Sequence, residues 1–374
     1  MELDTHALAF LPLVLVASLA TFLQPAAAND GTPRPGGGFS LRLVPYGGWN
    51  STMHVDGGGF LHLNEQAATT ALRLHVHGPR GLTYSVATTV GTGSGRRTYD
   101  LVLDTGHRLR VPGEPLGNET FAFANDGGAA AAAEVRGVVF GCAHTTTGFL
   151  SHGVLAGVLG LGKQTPSLIW TRLHQHGQDG RFSYCLFGPG RPDRHGFLRF
   201  GADVSATGHM KSTKILFMRF TTDPHFSGYF VSVLGVSVAD KALVPPPGQR
   251  QMTVLLRRHR SHDGRWYGGC LIDPGTSTTA ITQPVYHVLE HAVAALEYLP
   301  TVTLRFEEGA ELVIRPQQLF VFVQHDICLT VVPSKDITII GAMQQVDTRF
   351  VYDIAAGKIQ FAPEKCSDDT RGHN

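Results

Sequence analysis

The sequence has almost no excess of charge of either sign. Its 31 lysine and arginine residues face 30 aspartate and glutamate residues, and neither end carries an acidic or basic tail. Nucleic acids and anionic membrane surfaces attract proteins largely through a broad basic field. The balance therefore argues against a nucleic-acid partner and against a protein that works on a membrane surface.

Cysteine is also scarce, and the five cysteines show no spacing typical of a metal site. Zinc sites commonly use short pairs such as CxxC, and no such pair occurs here. We therefore expect no bound metal. In an exported chain some cysteines should pair, and the odd number leaves at least one without a partner in the same chain. The five are Cys142, Cys185, Cys270, Cys328 and Cys366.

Long apolar runs are few, and most are shorter than a helix. They are rich in Val, Ile, Phe and Thr, and the chain contains 44 glycines and 21 prolines. This composition favours a mainly β protein. Because 374 residues exceed one ordinary hydrophobic core, we expect two lobes or domains.

The N-terminus has the order of signals found in exported proteins. Residues 7–23 are apolar and precede Pro25 and three alanines at 26–28, which predicts a signal peptide cleaved after residue 28. The first six residues lack the usual basic charge, so a membrane anchor is the alternative. The run is short and contains Pro12, which favours cleavage and no stable membrane anchor. Export would make two N-glycosylation sequons usable, at Asn50 and Asn118.

Two halves of the chain repeat one order of signals. In the first half an apolar run ends in Asp104-Thr105-Gly106, and a later one ends in Gly160. In the second half the corresponding runs end in Asp273-Pro274-Gly275 and in Gly341. Glycine at these ends permits close approach of two backbones. The repeat predicts two related lobes, each of which contributes one aspartate.

Each half also contains one predicted helix. In the first half Thr165 can cap a helix that stops at Gly177. In the second half Pro284 begins a helix with an apolar stripe. The stripe consists of Val285, Val288, Leu289, Ala292, Val293 and Leu296.

Longer segments resemble the pepsin-like (A1) aspartic peptidases, in particular the plant nepenthesin-like branch. They include YSVATTVGTGSGRRTYDLVLDTG (84–106), VVFGCAHTTTGF (138–149), RFSYCLFG (181–188), YGGCLIDPGTSTTAITQPVY (267–286) and IIGAMQQVDTRFVYDIAAGKIQFAPEKC (339–366). The similar segments follow one another in the family's order across most of residues 80–366. The resemblance implies a mainly β, bilobal pepsin-like fold with a cleft between lobes related by a pseudo-twofold axis.

The family's organisation implies four segments in this chain. After the signal peptide, residues 29–79 resemble a propeptide. An N-terminal lobe would cover residues 80–211 and a C-terminal lobe residues 212–374. By the same resemblance we expect a secreted or vacuolar monomer that acts on polypeptides without a cofactor.

The resemblance assigns Asp104 and Asp273 as the catalytic pair. Two carboxylates a few Å apart can activate a water molecule and donate a proton, because their repulsion keeps one protonated while the other is ionised. By the same resemblance the carboxylates are supported by backbone or hydroxyl groups of Thr105, Gly106, Gly275 and Thr276. Cys185 and Cys366 occupy positions consistent with a disulfide.

Two residues depart from the family's pattern beside the catalytic pair. The family has a hydroxyl residue after each aspartate, but Pro274 has neither a hydroxyl nor an N–H group to donate. His107 stands where the family has a serine. Its bulk and possible charge would change the proton balance of the pair.

The larger departure is a missing flap. The family has a tryptophan strand, a cysteine-rich insert and a β-hairpin with a tyrosine that closes over the substrate, whereas residues 105–141 contain no Tyr, Trp or Cys. The alanine run 129–133 suggests a loop or a local helix, so we expect residues 107–135 not to form a closed hairpin. Two hypotheses follow: a weakened aspartic endopeptidase, or a degenerate homologue that acts as a binding or inhibitor-like protein.

One segment resembles a nucleotide-binding motif. GVLGLGKQ at 157–164 has the glycines and lysine of a phosphate loop, but Gln164 replaces the Ser or Thr that binds magnesium. The segment also fits the internal repeat. We therefore expect no nucleotide.

Overall fold

The structure, a computed structural model, describes strand residues 18–19, 23–24 and 39–46 and most of the chain from 83 to 366. Outside the description lie residues 1–17, 20–22, 25–38, 47–82, 107–115, 124–132, 143–154, 163–179, 189–195, 202–203, 217–227, 246, 249–250, 261, 263–265, 324–325, 336 and 367–374. Five sequence predictions fall wholly or mostly there: the signal peptide, the propeptide at 29–79, the sequon at Asn50, the role of His107 and the helix 165–177.

The described strands of the first half are short. They are β1 Ser18–Leu19, β2 Leu23–Gln24, β3 Phe39–Tyr46, β4 Thr83–Val90, β5 Arg97–Asp104, β6 Leu116–Phe123, β7 Ala133–Gly141, β8 Gly157–Gly160, β9 Arg181–Cys185, β10 Gly196–Phe200 and β11 Lys211–Lys214.

The second half adds fifteen described strands. They are β12 Phe230–Val231, β13 Val233–Val238, β14 Lys241–Ala242, β15 His259–Arg260, β16 Trp266–Tyr267, β17 Cys270–Ile272, β18 Thr279–Thr282, β19 Val302–Phe306, β20 Glu311–Ile314, β21 Phe320–Val323, β22 Asp326–Leu329, β23 Val331–Ser334, β24 Thr338–Ile340, β25 Thr348–Asp353 and β26 Lys358–Pro363. The described helices are α1 Met252–Leu256, α2 Gln283–Ala294 and α3 Pro316–Leu319, and single 3₁₀ turns lie at Gly93–Gly95, Glu307–Gly309 and Ala342–Gln345.

Helix α2 confirms the helix predicted in the second half. Thr282 precedes it and Pro284 lies in its first turn, where a proline costs no hydrogen bond. Its buried face consists of Val285, Tyr286, Leu289 and Val293, and Val288, Ala292 and Leu296 pack partly buried against the same core. Within the described ranges, no helix is long and apolar enough to cross a membrane.

The largest described sheet joins both halves of the chain. Its main path is β1-β7-β6-β4-β3-β10-β9-β25-β26-β11, with β5 beside β4 and β8 beside β5. The strand β25, near the C-terminus, pairs with β9 of the first half, so that Arg349 lies opposite Cys185. Rings from the two strands stack beneath this sheet, with the Phe182 and Tyr352 centroids 4.4 Å apart.

The second half forms two smaller sheets of its own, in the orders β12-β17-β24-β18-β23 and β14-β13-β19-β20. The hairpins β15-β16 and β21-β22 complete the strand pairing described there. Helix α2 packs against β18 and β23. The mainly β, two-lobed fold predicted from the composition and the repeat is confirmed.

The internal repeat appears as a repeated strand pairing. Strand β5 pairs in parallel with β8, and Asp104 lies opposite Gly160. Strand β17 pairs in parallel with β24, and Ile272 lies opposite Ile340. Each half therefore carries its Asp-x-Gly turn at the carboxyl end of one strand, beside a second strand that ends in glycine.

One expectation from the sequence is wrong. Strands β6 and β7 pair antiparallel from Leu116 opposite Gly141 to Phe123 opposite Ala133, so they form a hairpin. The Phe121 and Phe140 rings lie 5.7 Å apart across it. The Phe140 ring also covers Gly117, where a methyl group would lie only 2.6 Å from it. Aromatic and β-branched residues of the two strands outweigh the alanine run, most of which belongs to the connection between them.

The described part of this hairpin does not lie over Asp104. Phe123 lies opposite Thr88, and Thr88 lies opposite Tyr99 in β5. Asp104 is five residues farther along β5, which corresponds to about 17 Å at the usual rise of a strand. The connection 124–132, which begins on the side of Asp104, lies outside the described residues.

Candidate active site

Asp104 and Asp273 occupy equivalent buried positions. Asp104 ends β5 and Asp273 follows β17, and each is only 4% exposed. Backbone hydrogen bonds to the neighbouring strand fix both turns. The Leu161 N–H donates to the Asp104 carbonyl at 2.7 Å, and the Asp273 N–H donates to the Ile340 carbonyl at 3.0 Å.

The two carboxylates face the same small volume. A methyl group placed on Gly106 would lie 3.2 Å from Asp273 Oδ2 and 3.5 Å from Asp104 Oδ1. Those two oxygens are therefore less than about 7 Å apart, close enough for contact through water. The structure thus brings together the two aspartates that the resemblance pairs.

Hydrogen-bond donors lie against both oxygens of the Asp273 carboxylate. Its Oδ1 accepts from the Thr105 N–H at 3.1 Å, the Thr105 hydroxyl at 3.3 Å and the Gly275 N–H at 3.1 Å. Its Oδ2 accepts from the Thr276 hydroxyl at 2.8 Å. Donors directed at both oxygens stabilise the ionised form of a carboxylate.

The Asp104 carboxylate accepts a hydrogen bond from the Gly106 N–H at 2.7 Å. On its other side lies Gly275, where an added methyl group would be only 2.5 Å from Asp104 Oδ2. A side chain at 275 would therefore displace the carboxylate. All four residues predicted to support the pair, Thr105, Gly106, Gly275 and Thr276, lie against its oxygens.

The hydroxyl brace between the halves is one-sided. The Thr105 hydroxyl crosses to the second half and donates to the Ile272 carbonyl at 2.8 Å. Pro274 is buried at the corresponding place in the second turn and has no donor to return. Of the two corresponding positions, 105 and 274, only Thr105 therefore braces the two turns with a side-chain hydrogen bond in the described structure.

Three buried polar residues near the pair were missed by the sequence analysis. They are Tyr184 in β9, Gln345 in the turn after β24 and Tyr352 in β25. Burial raises the pKa of both phenols, and each phenol also lies close enough to Asp273 for its charge to contribute to the increase. The available signal was the alternation of large apolar residues in RFSYCLF and RFVYDI, which marks buried strand faces.

Cys185 and Cys366 form a disulfide with their Cα atoms 5.4 Å apart. It ties the last residue of β9 to Cys366, which lies three residues beyond the end of β26. The remaining cysteines, Cys142, Cys270 and Cys328, form no disulfide among the described residues. Burial raises the pKa of the Cys270 thiol, which keeps it protonated.

The sequon residue Asn118 lies exposed on β6, and so its side chain is accessible. In the described residues no group of three or more His, Cys, Asp or Glu side chains could hold a metal ion. Residues 157–160 of the phosphate-loop-like segment form the buried strand β8.

Comparisons with known proteins agree with the fold. Family models described as xylanase inhibitor N-terminal and xylanase inhibitor C-terminal match residues 113–202 and 294–363. Aspartyl protease family protein 2 of Arabidopsis thaliana is 28% identical over 261 residues, which cover 62% of this chain and 50% of the relative. Aspartic proteinase nepenthesin-2 of Nepenthes gracilis is 25% identical over 282 residues, which cover 67% and 57%.

The chain is thus similar to plant aspartyl proteases over 62% to 67% of its length. Its matched part spans about half of the length of the curated relatives, between 50% and 57% of the first three. Activity, substrates and partners of this pepsin-like chain are therefore matters of proposal.

Solved structures share the pepsin-like fold over nearly their whole length. Basic 7S globulin from soybean has a TM-score of 0.58 at 16% identity and covers 88% of this chain and 99% of its own. Conglutin gamma from lupine seeds has a TM-score of 0.57 at 14% identity and covers 88% and 98%. At these identities the likeness concerns the fold alone.

Proposed function

We propose that this pepsin-like chain is an aspartic-type endopeptidase whose catalytic pair is Asp104 and Asp273. The observation that carries the proposal is the placement of both carboxylates around one volume less than about 7 Å across. Protease homologues support polypeptides as the substrate class. No cofactor takes part in the proposed reaction.

The hydrogen bonds suggest a role for each aspartate. Donors at both oxygens of Asp273 favour its ionised form, and we assign the shared proton to Asp104. The Asp273 carboxylate takes a proton from the attacking water while Asp104 donates one to the carbonyl oxygen of the scissile peptide. When the C–N bond of the tetrahedral intermediate breaks, Asp273 gives its proton to the leaving amine and Asp104 takes a proton from a hydroxyl of the intermediate, so that the new carboxyl group forms and the pair returns to its starting state.

The remaining organisation is part of the same proposal. Residues 1–28 direct export and are removed, residues 29–79 form a propeptide, and the lobes cover 80–211 and 212–374. The mature protein is a secreted or vacuolar monomer with glycans at Asn50 and Asn118. The exposure of Asn118 supports the second glycosylation site.

The test uses the full chain, exported from a eukaryotic host, with a denatured protein as substrate at acidic pH. We expect cleavage that a statine-type transition-state mimic blocks and that Asp104→Asn abolishes. Asp100→Asn is the matched control, because Asp100 is an exposed aspartate of the same strand, and it should retain activity. Cleavage that persists in Asp104→Asn would contradict the assignment.

A second candidate function is a binding or inhibitor-like protein that no longer hydrolyses peptides. The buried Pro274, opposite the hydroxyl of Thr105, favours it, and so does the match to family models described as xylanase inhibitor. In this case the chain binds a peptide or a xylanase without cleaving peptides, and Pro274→Ser leaves turnover at background. Strong new cleavage by Pro274→Ser would instead indicate a site that lacks only its second brace.

A further inference from the structure

Two tyrosines lie side by side beneath the proposed catalytic pair. Tyr184 of β9 and Tyr352 of β25 come from neighbouring strands of the sheet that joins the two halves. Their ring centroids are 5.8 Å apart, and both side chains are fully buried. Neither residue belongs to an Asp-x-Gly turn, yet the Tyr352 hydroxyl reaches the strand that leads into Asp273.

Hydrogen bonds connect these hydroxyls to two backbone carbonyls next to Asp273, that of Ile272 and, through Gln345, that of Ile340. The Tyr352 hydroxyl donates to the Ile272 carbonyl at 3.0 Å, and its oxygen lies 3.3 Å from the Tyr184 oxygen. The Tyr184 hydroxyl donates to Gln345 Oε1 at 2.6 Å. Gln345 Nε2 in turn donates to the Ile340 carbonyl at 2.7 Å, and that carbonyl also accepts from the Asp273 N–H.

The peptide group between Ile272 and Asp273 is thus held at both ends. Its carbonyl accepts from Thr105 and Tyr352, and its N–H donates to Ile340. Buried polar networks in which every member is bonded restrain their members to one arrangement. Since Pro274 contributes no donor, the second turn depends on this network for the restraint that the family's hydroxyl would supply.

We propose that Tyr352 is a positioning residue of the catalytic pair, held by Tyr184 and Gln345, and that its hydroxyl sets the orientation of the Asp273 carboxylate toward Asp104. This inference rests on the proposed function of the two aspartates as one site. It adds three residues that lie outside both Asp-x-Gly turns and whose hydrogen bonds reach the backbone carbonyls of Ile272 and Ile340.

The network keeps its donors over the working range of pH. The titratable groups around the Ile272–Asp273 peptide are the two aspartates, Tyr184, Tyr352 and Cys270. Burial raises the pKa of both phenols and of the thiol, so all three hold their protons at acidic and neutral pH. A change of pH profile in a tyrosine variant therefore reports on the aspartates.

The experiment compares Tyr352→Phe with Tyr84→Phe in the full chain. Tyr84 is a matched control because it is also fully buried and donates to a backbone carbonyl, that of Phe187, at 2.5 Å. Two readouts are used. The first is the pH dependence of kcat and KM for a peptide substrate. The second is the carboxyl titration followed by carbon-13 NMR of labelled aspartate and assigned with Asp104→Asn and Asp273→Asn.

For Tyr352→Phe we expect kcat to fall by about tenfold, the effect of roughly one lost hydrogen bond, with KM changed less than about twofold. The carboxyl titration of the pair should move as well. Tyr84→Phe should alter neither readout. Tyr184→Phe keeps the hydrogen bond from Tyr352 to Ile272, so it should shift both readouts in the same direction but by a smaller amount. If Tyr352→Phe does not fold, Tyr184→Phe decides the question.

The outcomes separate the two proposals. Unchanged kcat and titration in Tyr352→Phe, or in Tyr184→Phe where the first variant does not fold, overturn the positioning role even if the protein is an active peptidase. A shifted titration in a chain that cleaves no peptide supports the positioning role and removes the proposed function. Equal shifts in Tyr84→Phe would mean that the effect is a general loss of packing, and this result would also overturn the positioning role.

Discussion

At the scale of single residues, the glycines shape the site as much as the charged residues do. Gly275 donates its N–H to Asp273 and leaves the space that Asp104 Oδ2 fills. Gly106 does the same from the other turn, with a donated N–H and a gap beside both carboxylates. Backbone donors can reach a carboxylate closely only where no side chain intervenes.

We expect Gly275→Ala to abolish activity while the fold survives. The new methyl group would lie 2.5 Å from Asp104 Oδ2, so the carboxylate must move. A shift of about 1 Å in a catalytic group can cost about 100-fold in rate, and overpacking costs about 1–3 kcal/mol of stability. Peptide cleavage, statine-type inhibitor binding and urea unfolding measure the three effects.

The control for this variant is Gly235→Ala, since an added methyl group there meets no atom within 4 Å. It should leave cleavage, inhibitor binding and stability nearly unchanged. Full activity of Gly275→Ala would show that the close approach of the two turns is not needed.

The aspartates and their glycines could be named from the sequence because the Asp-x-Gly turn is local and occurs twice. Tyr184, Gln345 and Tyr352 could not, because their roles arise from contacts across 80 to 168 residues of chain. A buried tyrosine in a strand is usually part of an ordinary core. Only the position of its hydroxyl distinguishes a positioning tyrosine from a tyrosine of the ordinary core.

At the scale of elements, the β6–β7 hairpin shows where sequence patterns were insufficient. The predicted helix α2 was recoverable because its cap, its first-turn proline and its stripe all agree. The hairpin was not, because the polar start of β6 and the alanines after it obscure the apolar alternation. Pairing across the sheet, with Phe121 against Phe140, outweighs weak local preference.

We expect Phe121→Ala to destabilise the protein by about 3–5 kcal/mol, because it empties a fully buried site in this hairpin. The matched control is Leu116→Ala in the same strand, where the side chain is 67% exposed, and its effect should stay within about 0.5 kcal/mol. Urea unfolding gives both values, and amide hydrogen exchange of β6 and β7 localises the loss. Equal effects of the two substitutions would mean that the hairpin does not pack as described.

At the scale of the whole molecule, the C-terminus closes the fold onto the first half. Strands β25 and β26 join the sheet of β9 and β10, and the disulfide between Cys185 and Cys366 spans 181 residues of sequence. The two-lobed organisation followed from length and repeat. The pairing of one strand from each half into a shared sheet did not, since no local pattern encodes contacts at such separation.

We expect the double variant Cys185→Ala and Cys366→Ala to lower the free energy of unfolding by about 2–5 kcal/mol, because it releases a long loop in the unfolded chain. Cys142→Ala is the control, as Cys142 forms no disulfide, and it should change stability by less than about 0.5 kcal/mol. Urea unfolding under non-reducing conditions makes the comparison. If the double variant is as stable as the control, the closure of the fold depends on the strand pairing alone.

The whole molecule should also be unusually sensitive to alkali, for a reason visible in its core. Burial raises the pKa of five phenols above the usual value of about 10, those of Tyr84, Tyr184, Tyr229, Tyr286 and Tyr352. Below about pH 10 the five phenols are protonated in both the folded and the unfolded chain, so they leave stability unchanged there. Above it the unfolded chain releases five protons that the folded chain retains, and the free energy of unfolding falls by about 1.4 kcal/mol per pH unit for each phenol.

Urea unfolding between pH 8 and about pH 11 should therefore show a steep loss of stability that begins near pH 10. Tyr84→Phe should reduce that slope by about a fifth, whereas Tyr298→Phe, at a side chain 56% exposed, should leave it unchanged. A free energy of unfolding that stays constant through pH 11 would mean that water reaches these hydroxyls in the folded protein, and the buried network beneath Asp273 would then lose its basis.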